Sequence, residues 1–340
     1  MTNQTFYMPG FMDLSSYRLE SVCGGETWDS VVLSSRQGSV FSLTDYLDNI
    51  DGCHPSRWFC FKGNDLKAGL IVMESDDGRD CILVDDVIHS GILFMPNSDN
   101  QNKSQVMAEN FRVTSFISQQ LIDKYRNISL STHPDLDDLR PFIWHNYGVD
   151  GPKFVVDVRY TSFLNLEGFH TNTDLNQNPI YMACSKSRRQ EIRYAVMANV
   201  TTTTSNDVDE FISLYKHTLE RQSQNISEYT CHRLHKLVCA ILSKGLATMY
   251  VSRASNGLIG SMAVFGIFND RAYYLFGANN PDLRSEHTGT MVIWDAICDL
   301  YCRGIKLVDL EGINSPLRGQ FKLSFGGDII PYYHLSMSQD

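Results

Sequence analysis

The sequence predicts a mixed α/β protein built from two domains, and three observations support this prediction. The chain has 340 residues, which is longer than one compact core usually spans. Segments rich in β-branched and aromatic residues alternate with segments whose apolar residues recur at helical spacing. A polar, proline-containing stretch at residues 133–151 interrupts this alternation. We therefore expect the domain junction close to residue 160.

The first half is predicted to alternate between helices and strands. Residues 40–50 have the spacing of a helix, and residues 56–78 have the pattern of two strands around a polar turn. Residues 104–132 predict a long amphipathic helix that leads into a strand. Residues 153–166 form an almost unbroken run of strand-forming side chains. This half should therefore contain a helix that crosses back to a sheet.

The second half has sharper boundaries. Residues 205–223 begin with a capping pattern and acids in the first turn, and residues 231–245 form a second amphipathic helix that ends at a glycine. Three strands follow at 246–254, 257–268 and 271–278, joined by short turns. A helix at 289–304 and a strand at 305–312 complete the order ααβββαβ. This order resembles the core of the GNAT acyltransferase fold, in which the helix after the three strands points its N-terminus at an anion.

Composition and charge restrict the class of protein. Hydrophobic residues make up 43% of the chain and charged residues 20%, as in ordinary soluble proteins. No apolar run approaches the roughly 18 residues that a membrane span needs, and the N-terminus lacks a signal-peptide pattern, so we expect a cytoplasmic protein. A net charge of −10 argues against nonspecific nucleic-acid binding. The nine cysteines are scattered without a C-x-x-C pair, which argues against a metal site.

The final segment, residues 308–337, carries the strongest candidates for a site. Glu311 lies at the C-terminal end of a predicted strand, where open α/β sheets place ligand groups, and Asp309 shares its strand face. We interpret Glu311 as a catalytic base or ammonium-binding group; the alternative is that it pairs with Arg318 or caps a turn. Arg318 and Lys322 are four residues apart and suit a phosphate or diphosphate, unless they are merely solvated. Asn314 is a candidate catalytic donor to a carbonyl, or the start of an Asx turn.

Two further groups of residues are candidates. Arg140, Trp144 and Tyr147 combine a cation with aromatic rings, a mixture that suits a nucleobase or sugar face and a phosphate. The alternative is a packed aromatic loop. His170 follows a predicted strand and is the second candidate base. The alternative for this single histidine is a structural role.

Three groups of residues together resemble the Fem family of nonribosomal peptidyltransferases and its relatives. The tail, with the motif FKLSFGG, is the most specific of them, and the likeness extends over most of the chain. The resemblance implies that Arg193 contributes to substrate binding. The matching residues are Asp138, Arg140, Pro141, Phe142, Trp144 and Tyr147; Arg189, Ile192 and Arg193; and Gly312, Asn314, Arg318, Phe321, Lys322, Phe325, Gly326 and Gly327.

The resemblance implies a fold of two GNAT-like domains in tandem with a cleft between them. The expected domains are residues 1–160 and 161–316, with a tail at 317–340 that returns to the first domain. The resemblance also implies that acyl-coenzyme A binds as a co-substrate at Arg284, Thr288, Gly289 and Thr290. The family pattern of this loop has glycines at two positions, and His287 stands where the first of them belongs. The expected coenzyme A site therefore departs from the family pattern.

The expected function is N-acyl transfer from a coenzyme A thioester to the amino group of a nucleotide-linked amino sugar for surface polysaccharide. The acyl group could be a hydroxyacyl group. The acidic charge and the lack of a long charged heptad segment favour a small acceptor over a polymer. One alternative is an aminoacyl-tRNA-dependent peptidyltransferase acting on a peptidoglycan precursor, and only that version needs a nucleic acid; the other is a noncatalytic ligand-binding relative. The sequence predicts no permanently bound cofactor and leaves the oligomeric state open.

Overall fold

A computed structural model describes residues 13–170, 174–221 and 227–339, except for the side chains of residues 221 and 317. The chain forms two compact units. The first comprises Met1–Arg159 and Pro331–Asp340, and the second comprises Tyr160–Ile330. The chain thus leaves the first unit once and returns to it with its last residues.

Strands and helices are mixed along the whole chain. In chain order the strands are β1 (Tyr17–Ser21), β2 (His54–Lys62), β3 (Asp65–Glu74), β4 (Asp80–Ile82), β5 (Gly91–Phe94), β6 (Asn127–Ser131), β7 (Val155–Asn165), β8 (Thr201–Ser205), β9 (Ala247–Arg253), β10 (Ile259–Phe268), β11 (Arg271–Asn279), β12 (Leu307–Asp309) and β13 (Asp328–Ser338). The helices are α1 (Glu26–Ser34), α2 (Thr44–Leu47), α3 (Lys103–Lys124), α4 (Arg140–Ile143), α5 (Pro179–Ala183), α6 (Lys186–Met197), α7 (Val208–Arg221), α8 (Glu228–Ser243), α9 (Thr288–Cys302) and α10 (Pro316–Leu323). Short 3-10 segments lie at Val40–Ser42, Leu175–Gln177 and Pro281–Glu286.

The first unit is built on a sheet of order β1-β2-β3-β4-β6-β13, with β5 added to β3. Neighbouring strands are antiparallel, except for the parallel pair β4 and β6. α3 begins with a capping box, in which Asn102 and Gln105 each bond the other's main chain. Its buried side chains, such as Ile117, join a core with Ile128 of β6 and Leu335 of β13. Burial of these apolar groups stabilises β13 within the first unit.

The second unit is built on a sheet of order β7-β12-β11-β10-β9-β8. β11 and β12 are parallel, and the other neighbours are antiparallel. α9 is apolar around most of its surface and is correspondingly buried in the core. Its Trp294 ring lies 6.0 Å from that of Phe169 and 5.8 Å from that of Tyr181. α9 is therefore the central helix of this unit.

Most of the predicted elements are confirmed. The order ααβββαβ corresponds to α7, α8, β9, β10, β11, α9 and β12, and the mixed α/β class is confirmed with it. The two strands predicted around a turn are β2 and β3, and the predicted helix and strand at 104–132 are α3 and β6. The stretch at 133–151 was expected to be a loop, and it contains the single turn α4. α5 and β8 were not predicted, because both are only five residues long.

Two glycines after α10 determine how closely it approaches the sheet. Gly326 has a φ of 86°, and a Cβ there would lie 2.5 Å from the carbonyl oxygen of Ala183. A Cβ on Gly327 would overlap the Ser162 side chain and lie 3.0 Å from the carbonyl oxygen of Phe163. The glycine pair thus lets the chain pass directly over the end of α5 and over β7.

Candidate active site

The sheet of the second unit opens where β11 and β12 stop pairing. The last residue pair of these parallel strands is Tyr273 with Asp309. β12 ends there, whereas β11 continues to Asn279. In open α/β sheets, ligands bind beyond the carboxyl ends of strands at such an opening. This end of β12 is therefore the candidate active site.

Asp309 is a buried residue beneath the site. Its side chain is 2% exposed. Its Oδ1 accepts a hydrogen bond from the Thr161 hydroxyl and one from the main-chain N–H of Glu311 at 2.7 Å. Burial raises the pKa of Asp309 to about 6, although the bond from Thr161 opposes the rise. Asp309 thus fixes the main chain of Glu311, two residues beyond the end of β12.

Glu311 follows β12 in a strained conformation. Its φ is 52°, which residues with a β-carbon seldom adopt. The residue is 5% exposed, and within the described part of the chain no group bonds its Oε1. Burial raises the pKa of Glu311 well above its usual range; the nearby Asp309 carboxylate adds to the rise and the Lys322 ammonium opposes it. A carboxyl group with a raised pKa and an unused oxygen is suited to take a proton from an amine near neutral pH.

Lys322 reaches this carboxyl pair from α10. Its Nζ donates a hydrogen bond to the main-chain oxygen of Glu311 at 3.1 Å and lies 5.2 Å from the centroid of the Tyr274 ring. Burial lowers the pKa of Lys322, while the carboxylates of Glu311 and Asp309 raise it and Arg318 lowers it further. The structure therefore brings together two of the predicted site residues, Glu311 and Lys322.

Tyr274 is a member of the site that sequence reasoning missed. It lies on β11, where the pairing with β10 skips Leu275 as a β-bulge. A Cβ on Gly277 would overlap the Tyr274 hydroxyl. This placement of the Tyr274 side chain therefore requires a glycine at position 277. Burial raises the pKa of Tyr274 to about 12, and Arg318 opposes the rise. The sequence feature that could have indicated Tyr274 is its Tyr-x-x-Gly spacing to Gly277 on a predicted strand.

Asn314 and Arg318 have different environments. The Asn314 side chain accepts from the main-chain N–H of Tyr160 at 2.7 Å and donates to its carbonyl oxygen at 3.0 Å. These two hydrogen bonds to β7 engage the amide in a structural role. The predicted catalytic role of Asn314 therefore has no support in this geometry. Arg318 is exposed, and its main-chain N–H is capped by the Ser315 hydroxyl at 3.4 Å. Its influence on Lys322 and Tyr274 places its charge near the site.

His170 lies away from the other candidates. β7 runs antiparallel to β12, and Asn165 pairs with Leu307, the first residue of β12. His170 follows Asn165, whereas Glu311 lies beyond the opposite end of β12. The His170 side chain is exposed. The structure therefore does not bring the second predicted base to the Glu311 site.

The turn before α9 explains the departure from the glycine pattern. His287 has a φ of 58°, the left-handed conformation that glycine adopts without strain. The histidine thus takes the conformation for which the family pattern has a glycine. A Cβ on Gly289 would lie 2.7 Å from Oδ1 of Asn279, so the first turn of α9 packs closely on the end of β11.

The side chains of the first turn of α9 are engaged within the protein. Thr288 and Thr290 are 2% and 3% exposed. The Thr290 hydroxyl donates to Glu191 at 2.6 Å and accepts from the Arg188 guanidinium. A pyrophosphate at this helix would therefore meet main-chain N–H groups, with the exposed Arg284 as the candidate cation. The threonine hydroxyls do not support such a site, and binding of an acyl-coenzyme A diphosphate at this turn stays a prediction.

A second feature is a cationic pocket beside α6. Its volume is about 240 Å³, and it is lined by Lys186, Arg189 and Arg193 with Asn176 and Tyr181. The three cations share one face of α6 because they are three and four residues apart. Three converging cations suit a phosphate or diphosphate group. Arg193 was predicted as a substrate-binding residue; Lys186 and Arg189 were not.

The remaining predicted binding residues lie in the first unit. Arg140 forms an ion pair with Asp138 at 2.5 Å and lies 5.0 Å from the Phe111 ring and 5.5 Å from the Trp144 ring. Trp144 is 38% exposed and Tyr147 is 68% exposed. Arg140 and Trp144 therefore form a surface cluster. Their binding of a substrate stays a prediction.

Across residues 13–170, 174–221 and 227–339, no three His, Cys, Asp or Glu side chains are grouped so that they could hold a metal ion. No helix in these ranges is long and apolar enough to cross a bilayer.

Comparison with known families defines the class of the second unit. Residues 184–322 match the family model of an acetyltransferase (GNAT) domain. This range contains Glu311, Lys322, Tyr274 and the first turn of α9. A GNAT domain implies an acyl-coenzyme A as its co-substrate. A search of curated proteins found none that matches the sequence.

Solved structures extend the likeness to nearly the whole chain. FemX is 13% identical with a TM-score of 0.62, over 92% of this chain and 96% of that one. The C-terminal domain of a putative lysylphosphatidylglycerol synthetase from Agrobacterium fabrum is 14% identical with a TM-score of 0.54, over 91% and 89% of the two chains. A tandem GNAT protein from the clavulanic acid biosynthesis pathway is 10% identical with a TM-score of 0.53, over 95% and 98%. The chain thus has a Fem-like tandem GNAT fold, as predicted.

Proposed function

We propose that the protein transfers an acyl group from a coenzyme A thioester to the amino group of a nucleotide-linked amino sugar. The observation that carries the proposal is the buried pair of Glu311 and Lys322 at the end of β12. The pKa of the carboxyl group is raised and the pKa of the amine is lowered. Both groups are therefore poised to exchange protons closer to neutral pH than free side chains would.

The Glu311 carboxylate would act first, as the base. An amine arrives as an ammonium ion and must lose a proton before it can attack a carbonyl carbon. The unbonded Oε1 of Glu311 takes that proton. The free amine then attacks the thioester carbonyl, and a carbon–nitrogen bond forms as the carbonyl π electrons move to oxygen. The Lys322 ammonium, whose Nζ bonds the main-chain oxygen of Glu311, would stabilise this oxyanion.

Tyr274 would complete the transfer. The tetrahedral intermediate collapses, the carbon–sulfur bond breaks, and the electron pair leaves with the thiolate. The Tyr274 ring lies 5.2 Å from Nζ of Lys322, and its hydroxyl would supply a proton to the thiolate. The amide nitrogen gives up its second proton, which restores the phenol. Coenzyme A, when bound at the first turn of α9, supplies only the activated acyl group.

The cationic pocket beside α6 supports a phosphorylated acceptor. Lys186, Arg189 and Arg193 offer three positive charges within about 240 Å³, a size that suits a diphosphate better than an extended polymer. The net charge of −10 likewise favours a small anion held at a local site over a polyanion held along a surface. A nucleotide-linked sugar combines such a diphosphate with an amine that Glu311 could activate.

The second candidate function is aminoacyl-tRNA-dependent peptidyl transfer to a peptidoglycan precursor. The observation that favours it is the same basic face of α6, because phosphates of a tRNA would also suit these cations. The likeness to FemX is compatible with both functions, since it concerns the fold. The two candidates differ in the ligand that they require.

Thermal shift with purified protein separates the candidates. Acyl-coenzyme A thioesters, nucleotide amino sugars and bulk tRNA are added separately and in pairs. We expect a coenzyme A thioester and a nucleotide amino sugar each to raise the Tm, and Arg193→Ala to abolish only the effect of the nucleotide sugar. Arg303→Ala, at the far end of α9, is the matched control and should leave both effects intact. Stabilisation by tRNA alone would favour peptidyl transfer, and silence from every ligand would contradict both.

A further inference from the structure

Arg188 is a buried cation at the junction of three helices. It is 6% exposed, although it belongs to a helix whose neighbouring cations face a pocket. Its guanidinium donates to Glu191 on the same helix and to Thr290 in the first turn of α9. A buried arginine is costly unless its donors are paired. Its position therefore depends on partners outside α6.

The other partners of Arg188 lie on and just after α10. Its Nε donates to the Ser324 hydroxyl at 2.9 Å. Its guanidinium carbon lies 4.4 Å from the centroid of the Phe321 ring and 4.7 Å from that of Phe325. These two aromatic residues flank Lys322 in sequence. Arg188 thus contacts α10 on both sides of the residue that bonds Glu311.

α6 therefore carries two sets of cations with different environments. Lys186, Arg189 and Arg193 line the cationic pocket, and Arg188 points into the protein. A shift of α6 would move Arg188 relative to Thr290 and to Ser324. Arg188 contacts both the first turn of α9 and the end of α10, and Glu191 on the same helix also bonds Thr290.

We propose that Arg188 is a positioning residue that sets the placement of Lys322 against Glu311 and couples it to the first turn of α9. This inference rests on the proposed function for its catalytic meaning. The geometric part stands on the contacts of Arg188 alone. Arginine is required because its planar fork serves Thr290, Glu191 and Ser324 at once, whereas a lysine at this position can offer only one nitrogen.

The test measures the environment of Lys322 directly and needs no turnover. The protein is treated over a pH series with a limiting amount of an N-hydroxysuccinimide acetate, and the extent of acetylation of each lysine is read from peptide mass spectra. The pH midpoint for Lys322 reports its pKa in the folded protein. Lys306, which is far more exposed, serves as the internal reference. Loosening of α10 hydrates Lys322 and should raise its midpoint toward that of Lys306.

We expect Arg188→Lys to raise the Lys322 midpoint by about one pH unit, and Ser324→Ala to raise it in the same direction. Arg303→Ala, which removes an arginine from another helix end, should leave the midpoint unchanged. Should Arg188→Lys fail to fold, Ser324→Ala decides alone, since it keeps the arginine and removes its bond to Ser324, together with the bond from the Ser324 hydroxyl to the carbonyl oxygen of Phe321. A midpoint that stays the same in Ser324→Ala and in folded Arg188→Lys would overturn the proposal.

A kinetic measurement then separates positioning from the proposed function. If the protein transfers acyl groups, Arg188→Lys should lower kcat by roughly 10-fold or more with little change in KM for the acceptor. A rise in KM alone, with kcat kept, would contradict a positioning role. If no substrate is turned over while the Lys322 midpoint still shifts, the proposed function fails and the placement of Lys322 by Arg188 stands.

Discussion

Lys322 donates a hydrogen bond from its Nζ to the main-chain oxygen of Glu311 at 3.1 Å. The main-chain N–H of the same Glu311 is held by Asp309 at 2.7 Å. Both main-chain groups of this residue are therefore engaged, which stabilises its strained φ of 52°. Among the residues that the structure describes, no group bonds Oε1 of the Glu311 side chain at the open end of β12. The mechanism and most of the following predictions depend on this arrangement.

Replacing Glu311 by glutamine should remove the base and preserve the fold. We expect kcat of acyl transfer to fall by about 100-fold or more, because general-base catalysis is worth roughly two to four powers of ten. The Tm at neutral pH should be kept or rise, since a buried ionisable group is replaced by a neutral isostere. Steady-state kinetics and thermal unfolding check the two parts. Full activity in Glu311→Gln would show that this carboxyl group is not the base.

Replacing Lys322 by methionine should lower both activity and stability. The carboxyl groups of Glu311 and Asp309 then lose their cation, and we expect a loss of roughly 2 kcal/mol of unfolding free energy at neutral pH. The loss should shrink at lower pH, where the two carboxyl groups are protonated. Urea unfolding at two pH values measures it. An equal loss at both pH values would argue against charge pairing as the cause.

The contact between Gly277 and Tyr274 can be tested by a double-mutant cycle. Gly277→Ala should displace the Tyr274 ring and destabilise the protein by about 1–3 kcal/mol, because the new methyl group overlaps the hydroxyl. Tyr274→Phe removes that hydroxyl and should recover part of the stability in the double variant. Tyr274→Phe alone should lower kcat while the fold persists. Additive effects of the two substitutions would mean that the glycine is needed for another reason.

Asp309 should make stability depend on pH. Its pKa is about 6 in the folded protein and 3.8 as an ordinary aspartate. The folded state therefore binds the proton more tightly, so this contribution to stability is complete below the ordinary value and is lost as the pH rises through 6. The loss is on the order of 2–3 kcal/mol. Asp309→Asn should show a smaller decrease in unfolding free energy between acidic and neutral pH, and an unchanged decrease would contradict the burial argument.

The sequence predicts the fold well where periodicity is strong. α7 and α8 follow from apolar residues at helical spacing, and β9, β10 and β11 follow from strand-forming segments joined by short turns. Glu311 is a predicted site residue because a strand and its end can be located in the sequence. α6 is harder to predict, because its sequence is mostly polar and three of its first four residues are lysine or arginine. Such a helix is stabilised by contacts that are distant in sequence.

The rest of the site depends on distances that a sequence does not contain. Tyr274 and Gly277 become a pair only when β11 bulges, and Arg188 meets Ser324 across more than a hundred residues. His170 is a predicted base because it follows a strand, β7. The end of β7 pairs with the first residue of β12, whereas Glu311 lies beyond the last residue of β12. Asn314 was expected to face a substrate, and instead it bonds the main chain of Tyr160. In each case the partner, and not the residue type, decides the role.

The most direct test of the central claim is a thiol-release assay. Purified protein is incubated with a series of acyl-coenzyme A thioesters and nucleotide-linked amino sugars, and both the free thiol and the mass of the sugar product are measured. We predict thiol release that requires the amino sugar, an acylated product, and loss of both in Glu311→Gln. Thiol release without dependence on the amino sugar, or an equal rate in Glu311→Gln, would contradict the assignment of Glu311 and Lys322 as the centre of an N-acyltransferase.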